Sequence, residues 1–290
     1  MVVEPPRRGC RLCAANGTFS YAPHMSDSQR EQVRALFDLV ADDYATVEFF
    51  KPLGKALVDF AAVPPGSAAL DLGAGRGAVT RPLAEAVGPS GLVVAADVSM
   101  AMTRALQRDV PPSAWCLQAD AAAIPLRSAT LDSVLSGFAI HILPDPAAAL
   151  AEVIRVLRPG GLVAFSIPGP TGYPVIQGYA DAIQEYSQRA SPALWAMQPP
   201  PDLIEALYGA GFADVSEDAA TVRVPIPDAD TFLATDMSHG FRGWVDALSP
   251  ADHAAFMSNA LDALRDAAAG GNLTMDRGAR LIRGTKPDPG

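Results

Sequence analysis

Three carboxylates in this sequence sit where a single ligand would meet them. Asp71 ends an apolar run and is followed by Gly73-Ala74-Gly75-Arg76-Gly77. Asp97 ends the next apolar run, and Asp120 ends a third within Gln118-Ala119-Asp120-Ala121. Glycines at a strand-to-helix turn permit positive φ and let a ligand approach the main chain. In open α/β sheets, ligands bind in the crevice outside the carboxyl ends of parallel strands. The pattern therefore predicts a nucleotide-like ligand across the turn. Asp97 lies about 20 residues past the turn, the spacing of a carboxylate that binds ribose hydroxyls. Asp120 can accept a hydrogen bond from an adenine amino group.

The run Gly73–Ala78 also fits G-x-G-x-x-A, which dinucleotide sites allow. Asp71 tilts the choice. A carboxylate there repels a pyrophosphate but suits a ligand end that carries an ammonium and a sulfonium.

Candidates for proton transfer or acceptor contact are fewer. His141, in Ala139-Ile140-His141-Ile142-Leu143, follows the fourth apolar run and can serve as a general base or as a packed histidine. His239 has Asp236, Arg242 and Trp244 as neighbours, which fits a cavity lining or a structural turn. Tyr173 and Tyr179 fall in a segment expected to cover the site, so either can touch an acceptor. Tyr179 and Tyr186 are seven apart and share a helix face, the default reading of which is a core stripe. No metal site is expected: Cys10 and Cys13 form a lone CxxC with only His24 nearby, short of four ligands. Cys116 falls inside an expected strand and should be buried.

The elements that must hold these residues can be read from periodicity. A helix is expected from Ser26 or Asp27 to about Ala45, and a second over 47–63, ended by Pro64-Pro65-Gly66. Strands at 67–72, 92–97, 115–119, 131–136 and 162–168 then alternate with helices at 77–87, 99–109 and 146–157. That rhythm predicts a parallel sheet covered on both faces. Arg158-Pro159-Gly160-Gly161 reads as the turn into the fifth strand. Helices are expected near 174–189, 201–210 and over 228–269.

Bulk properties narrow the class. With 290 residues, 49% apolar and 19% charged, the chain can bury a sizeable core. Its net charge of −10 argues against a nucleic-acid partner, which wants a basic face. No run of about 20 apolar residues is present to span a membrane. Three cysteines make no disulfide framework, so a cytoplasmic setting is expected. Residues 1–25 lack periodicity and read as a disordered extension.

Six segments in order carry a family resemblance: FDLVADDY (37–44), LDLGAGRG (70–77), AADVSMAM (95–102), QADAAAIPL (118–126), LDSVLSGFAIHIL (131–143) and EVIRVLRPGGLVAFS (152–166). Together they resemble the class I S-adenosylmethionine-dependent methyltransferases, in the branch of ubiquinone- and menaquinone-biosynthesis-type and natural-product enzymes. The resemblance implies an α/β, Rossmann-like, seven-stranded, mostly parallel sheet of order 3-2-1-4-5-7-6 with an antiparallel seventh strand. The sixth strand is then placed at 215–224 and the seventh at 279–285. It implies S-adenosyl-L-methionine as cofactor. Asp71, Gly73, Ala74 and Gly75 would line its methionine end, with Gly137 and Phe138. Asp97 would hold the ribose, Val98 or Met102 would pack near the adenine, and Asp120 and Ala121 would meet the adenine edge. Tyr44 resembles a tyrosine that closes over the cofactor, and Ala74 stands where relatives often have Cys.

On this reading residues 26–290 form one domain: cover helices at 26–63, a cofactor-binding core at 67–168, and a helical lid from 169–200 and 228–275. The expected partner is a small, hydrophobic or aromatic methyl acceptor, and the expected assembly a monomer or homodimer. Two alternatives stay open: an S-adenosylmethionine-binding enzyme that does not transfer the methyl group, such as a cyclase, and a nicotinamide-dependent oxidoreductase.

Overall fold

The structure is a computed structural model that describes residues 27–111, 113–143, 145–169, 176–189, 202–270 and 273–288. The expected extension at 1–25, with Cys10, Cys13 and His24, lies outside the described residues, as does Tyr173.

Five parallel strands form the middle of the molecule: β1 (Ala68–Leu72), β2 (Leu92–Asp97), β3 (Ala114–Gln118), β4 (Leu131–Gly137) and β5 (Leu157–Pro168). Two more, β6 (Ala213–Pro225) and β7 (Thr274–Thr285), complete a sheet of order β3-β2-β1-β4-β5-β7-β6. β7 runs antiparallel to both of its neighbours. The central strands are buried on both faces: Leu70, Val134 and Phe165 pack on one side, and their chain neighbours Ala69, Leu135 and Ala164 on the other, so sides alternate without alternating polarity. Sheet order and the direction of β7 are those the resemblance implied.

Helices α1 (Asp27–Val40), α2 (Phe50–Ala61), α3 (Thr80–Val87), α4 (Met100–Gln107) and α5 (Pro146–Val156) flank the sheet. Further on come α6 (Gln177–Ser187), α7 (Leu203–Gly209), α8 (Ala229–Met237), α9 (Arg242–Val245) and α10 (Pro250–Ala269). Several start on side-chain caps that satisfy otherwise orphaned N–H groups. The Ser99 hydroxyl accepts from Met102 N–H at 3.0 Å to open α4, and Asp145 caps α5 with Pro146 in its first turn. Tyr179, Phe232 and Phe256, from α6, α8 and α10, are fully buried and join the core that α2 and α3 share. Tyr179 and Tyr186 thus form the expected core stripe.

Four local expectations are corrected. The first helix stops at Val40, and Tyr44 sits in a separate 3-10 turn, Asp43–Thr46. Just past the helix end, the Arg76 guanidinium donates to the Ala41 carbonyl at 3.1 Å. β5 begins at Leu157, so Arg158–Gly161 belongs to its bulged start. The cause is distant in sequence: Gly160 N–H donates to the Lys286 carbonyl, and Lys286 N–H donates to that of Gly161, both at 2.8 Å. β6 and β7 are longer than expected, because they pair with each other well beyond the sheet's parallel part. Cys116 is only half-buried, since β3 is the sheet edge and its neighbour Trp115 is 69% exposed. Among the described residues, no helix is long and apolar enough to cross a membrane.

Candidate active site

The site forms where β1, β2, β3 and β4 end. Asp71 is fully buried at the end of β1. Its Oδ2 accepts from the Thr80 hydroxyl at 2.6 Å, at the start of α3. Its Oδ1 is buried with no hydrogen-bond partner among the described residues. Burial pushes this carboxyl up to about 7, although Thr80 pulls it down, and the charge of Asp97 adds to the rise. An orphaned carboxylate oxygen in a folded interior is costly, so its position calls for a ligand donor.

The glycine turn brings the main chain to the same place. Gly73 has φ +74° and Gly75 φ +50°, and the Gly73 and Ala74 N–H groups donate to the Ala96 carbonyl. A Cβ on Gly73 would lie 2.3 Å from the Ala139 Cβ, so no side chain fits there. Gly75 N–H donates to Asp97 Oδ2 and Ser99 N–H to Asp97 Oδ1, both at 2.8 Å. Burial pushes the Asp97 carboxyl up while these two bonds oppose the rise. Each Asp97 oxygen keeps a lone pair for a further donor. Asp120 Oδ1 accepts from Ala122 N–H at 2.9 Å.

Two cavities meet here. The larger, about 560 Å³, is walled by Asp71 and Ala74; the smaller, about 90 Å³, by Asp97, Val98, Met102, Asp120 and Ala121. Tyr44, Gly73, Gly75, Gly137 and Phe138 line both, so the two are chambers of one crevice. Every residue expected on the cofactor side therefore faces this crevice. The Tyr44 ring stacks on Phe50 at 5.0 Å with a 6° interplanar angle. Burial, and then the charge of Asp97, raises its phenol far above the ordinary value, so it stays protonated.

The expected proton-transfer residues are placed differently. His141 lies in a 3-10 turn, Ile140–Ile142, with a buried Nδ1 that has no partner among the described residues. Burial pushes it down to about 4. His239 has Nδ1 accepting from Phe241 N–H at 3.3 Å, while its buried Nε2, 3.5 Å from Asp236 Oδ1, has no hydrogen-bond partner among the described residues. Its ring stands edge-on to Phe49 and Phe50 at 5.7 and 5.9 Å. Neither histidine lines either chamber.

Sequence reasoning missed two groups. Arg30, Val33 and Phe37 of α1 line the small chamber. Beside His239, buried Asp236 joins elements distant in the chain: it accepts from the Tyr179 hydroxyl at 2.7 Å and pairs with Arg277 of β7. The Arg277 guanidinium lies 5.1 Å over the Phe49 ring. The one local signal was Asp236 itself, an acidic residue three places before a candidate histidine.

Comparison with known proteins agrees with this geometry. Residues 70–165 match the model of a family described as a methyltransferase domain. The chain is 31% identical over 262 residues to nocamycin O-methyltransferase of Saccharothrix syringae, covering 82% of this chain and 93% of that protein. It is 34% identical over 176 residues to demethylmenaquinone methyltransferase of Renibacterium salmoninarum, covering 58% and 70%. A solved structure described as a putative methyltransferase from Bacillus halodurans shares the fold, with TM-score 0.53 and 18% identity over 80% of this chain and 98% of that one. A sheet of this order, a glycine crevice ringed by carboxylates, and a relative matched along nearly its whole length lead to one assignment: the chain belongs to the class I S-adenosylmethionine-dependent methyltransferases.

Proposed function

We propose that this enzyme methylates an oxygen, carbon or nitrogen of a small hydrophobic or aromatic metabolite, in bacterial secondary metabolism. The observation that carries the reading is the orphaned Asp71 Oδ1, beside a large chamber that opens into the one lined by Asp97 and Asp120. A relative named for nocamycin O-methylation and one named for demethylmenaquinone support an acceptor of this kind.

Asp71 would take the α-ammonium of S-adenosylmethionine, with the main chain of Gly73, Ala74 and Gly75 against its amino-acid end. Asp97 would bind the ribose hydroxyls. Asp120 and Ala121 would meet the adenine edge, and Val98 and Met102 its apolar face. Gly137, Phe138 and Tyr44, which line both chambers, would flank the middle of the molecule. When bound, the cofactor supplies a methyl group already activated on a sulfonium. The protein's part is then to align the acceptor and exclude water. Phe50 fits that task, since it contacts both Tyr44 and Phe138. The described parts of 169–200 and 228–275 pack α6 and α8 against α10 and would serve as the lid.

His141, His239 and Tyr173 remain candidates around the acceptor. Burial keeps His141 neutral near pH 7 but makes it a weak base, and His239 lines neither chamber. An acceptor that needs little help losing its proton fits this arrangement best. No group of three metal-ligating side chains occurs among the described residues, and we propose a metal-independent transfer.

The test is incubation with methyl-labelled S-adenosylmethionine and a panel of phenols, indoles, quinones and polyketides, with S-adenosylhomocysteine binding measured by calorimetry. Label should move to one acceptor class. Cofactor binding without transfer to any of them, together with rearrangement of one, would favour the non-methylating alternative.

A further inference from the structure

The small chamber contains one charged side chain with no role in the reading above. Arg30 projects from α1 toward the carboxyl ends of the strands, and its Nη1 lies 3.6 Å from Asp120 Oδ2. Its Nε is buried and has no hydrogen-bond partner among the described residues. Val33 and Phe37, one and two turns further along α1, line the same chamber. The far end of the helix is tied down: Asp38 Oδ1 accepts from the Ser99 hydroxyl at 2.5 Å and from Ala101 N–H at 3.1 Å. α1 is thus a cover anchored beside Asp97 at one end and holding a guanidinium over Asp120 at the other.

The size of the chamber gives this arrangement a consequence. At about 90 Å³ it falls well below the roughly 300–1,000 Å³ of ordinary small-molecule sites. An adenine ring would need more room than this, and an outward shift of the Arg30 end of α1 would supply it. The adenosine half of the cofactor carries no anion for Arg30 to pair with. What adenine offers is a π face, against which a planar, weakly hydrated guanidinium stacks well. Asp120 offers the counter-charge that keeps the guanidinium there.

We propose that Arg30 is a cofactor-binding residue, whose guanidinium, held by Asp120, covers the face of the adenine and closes α1 over it. The proposal rests on the S-adenosylmethionine reading of the crevice.

The test titrates the full-length protein with S-adenosylhomocysteine and with 5′-methylthioadenosine, which keeps the adenosine half and lacks the ammonium and carboxylate. Arg30→Met preserves the side chain's stem and removes the plane and charge. It should weaken both ligands by the same factor, about tenfold. Arg34→Met, on the same helix where Arg34 pairs with Glu31, should bind like the wild type. Arg30→Lys keeps the charge without the plane and should recover only part of the loss. Thermal denaturation of each variant separates lost binding from lost folding, and Arg30→Gln serves if the Met variant does not fold. Equal or tighter binding by Arg30→Met would mean that Arg30 merely plugs the empty chamber, and the proposal would fail. Full recovery by Arg30→Lys would overturn the stacking role. If the wild type binds neither ligand, the cofactor reading falls first.

Discussion

Raising the pH from 6 to 8 should tighten S-adenosylhomocysteine binding about tenfold, and Asp71 should be the cause. In the free protein its buried carboxyl holds a proton up to about pH 7. The ligand's ammonium wants the ionised form, so binding below pH 7 must first expel that proton. For one such group the apparent Kd scales as 1 + 10^(pKa − pH), which is about 11 at pH 6 and about 1.1 at pH 8. Calorimetry across this range, repeated in buffers of different ionisation enthalpy, gives both the affinity and the protons released. Asp71→Asn should flatten the profile and weaken binding roughly 10- to 100-fold, the worth of a hydrogen bond to a charged group. The free protein should respond the opposite way. Its carboxyl is raised above the unfolded value of 3.8, so the native state holds a proton that the unfolded chain loses between about pH 4 and 7. Stability from this group is full below pH 4 and is lost by pH 7, by up to about 4 kcal/mol for a three-unit shift. Asp71→Asn, free of that cost, should unfold at a higher temperature than the wild type at pH 8 while binding worse. Equal wild-type affinity at pH 6 and 8, or an unchanged slope in Asp71→Asn, would refute the reasoning.

Gly73→Ala should abolish S-adenosylhomocysteine binding in calorimetry, since φ +74° and a Cβ 2.3 Å from that of Ala139 leave no relaxed geometry. Asp236→Ala leaves the Arg277 guanidinium buried without its carboxylate and should cost about 3–5 kcal/mol in denaturant unfolding. Tyr179→Phe removes one bond to the same carboxylate and should cost about 1–3 kcal/mol. His141 is pushed below its unfolded value of 6.5 to about 4, so the native state refuses a proton that the unfolded chain binds in that window. Stability present above pH 6.5 should therefore fall as pH drops toward 4, and denaturation of His141→Phe should show a shallower slope there.

Much of the crevice lining was legible in the chain itself, because its parts are local. Asp71, Gly73 and Gly75 lie on one strand-to-turn segment, Asp97 ends β2, and Asp120 follows β3 by two residues, each strand being recognisable by its apolar run. Strand alternation and turn chemistry place such residues at the sheet's carboxyl edge wherever the rest of the chain goes. What the local pattern could not reach depends on partners far along the chain. Arg30 meets Asp120 across 90 positions, and Lys286 decides where β5 begins. Periodicity could place Cys116 on a strand but could not tell that the strand is the sheet's edge. It could flag His239 as a candidate, yet only the packed structure turns its two nitrogens toward Phe241 and Asp236. Short-range dihedral and hydrophobic preferences thus determined the elements and the glycine crevice. The direction in which each buried polar group points was decided by the tertiary structure, because a hydrogen bond needs its particular partner within about 3 Å.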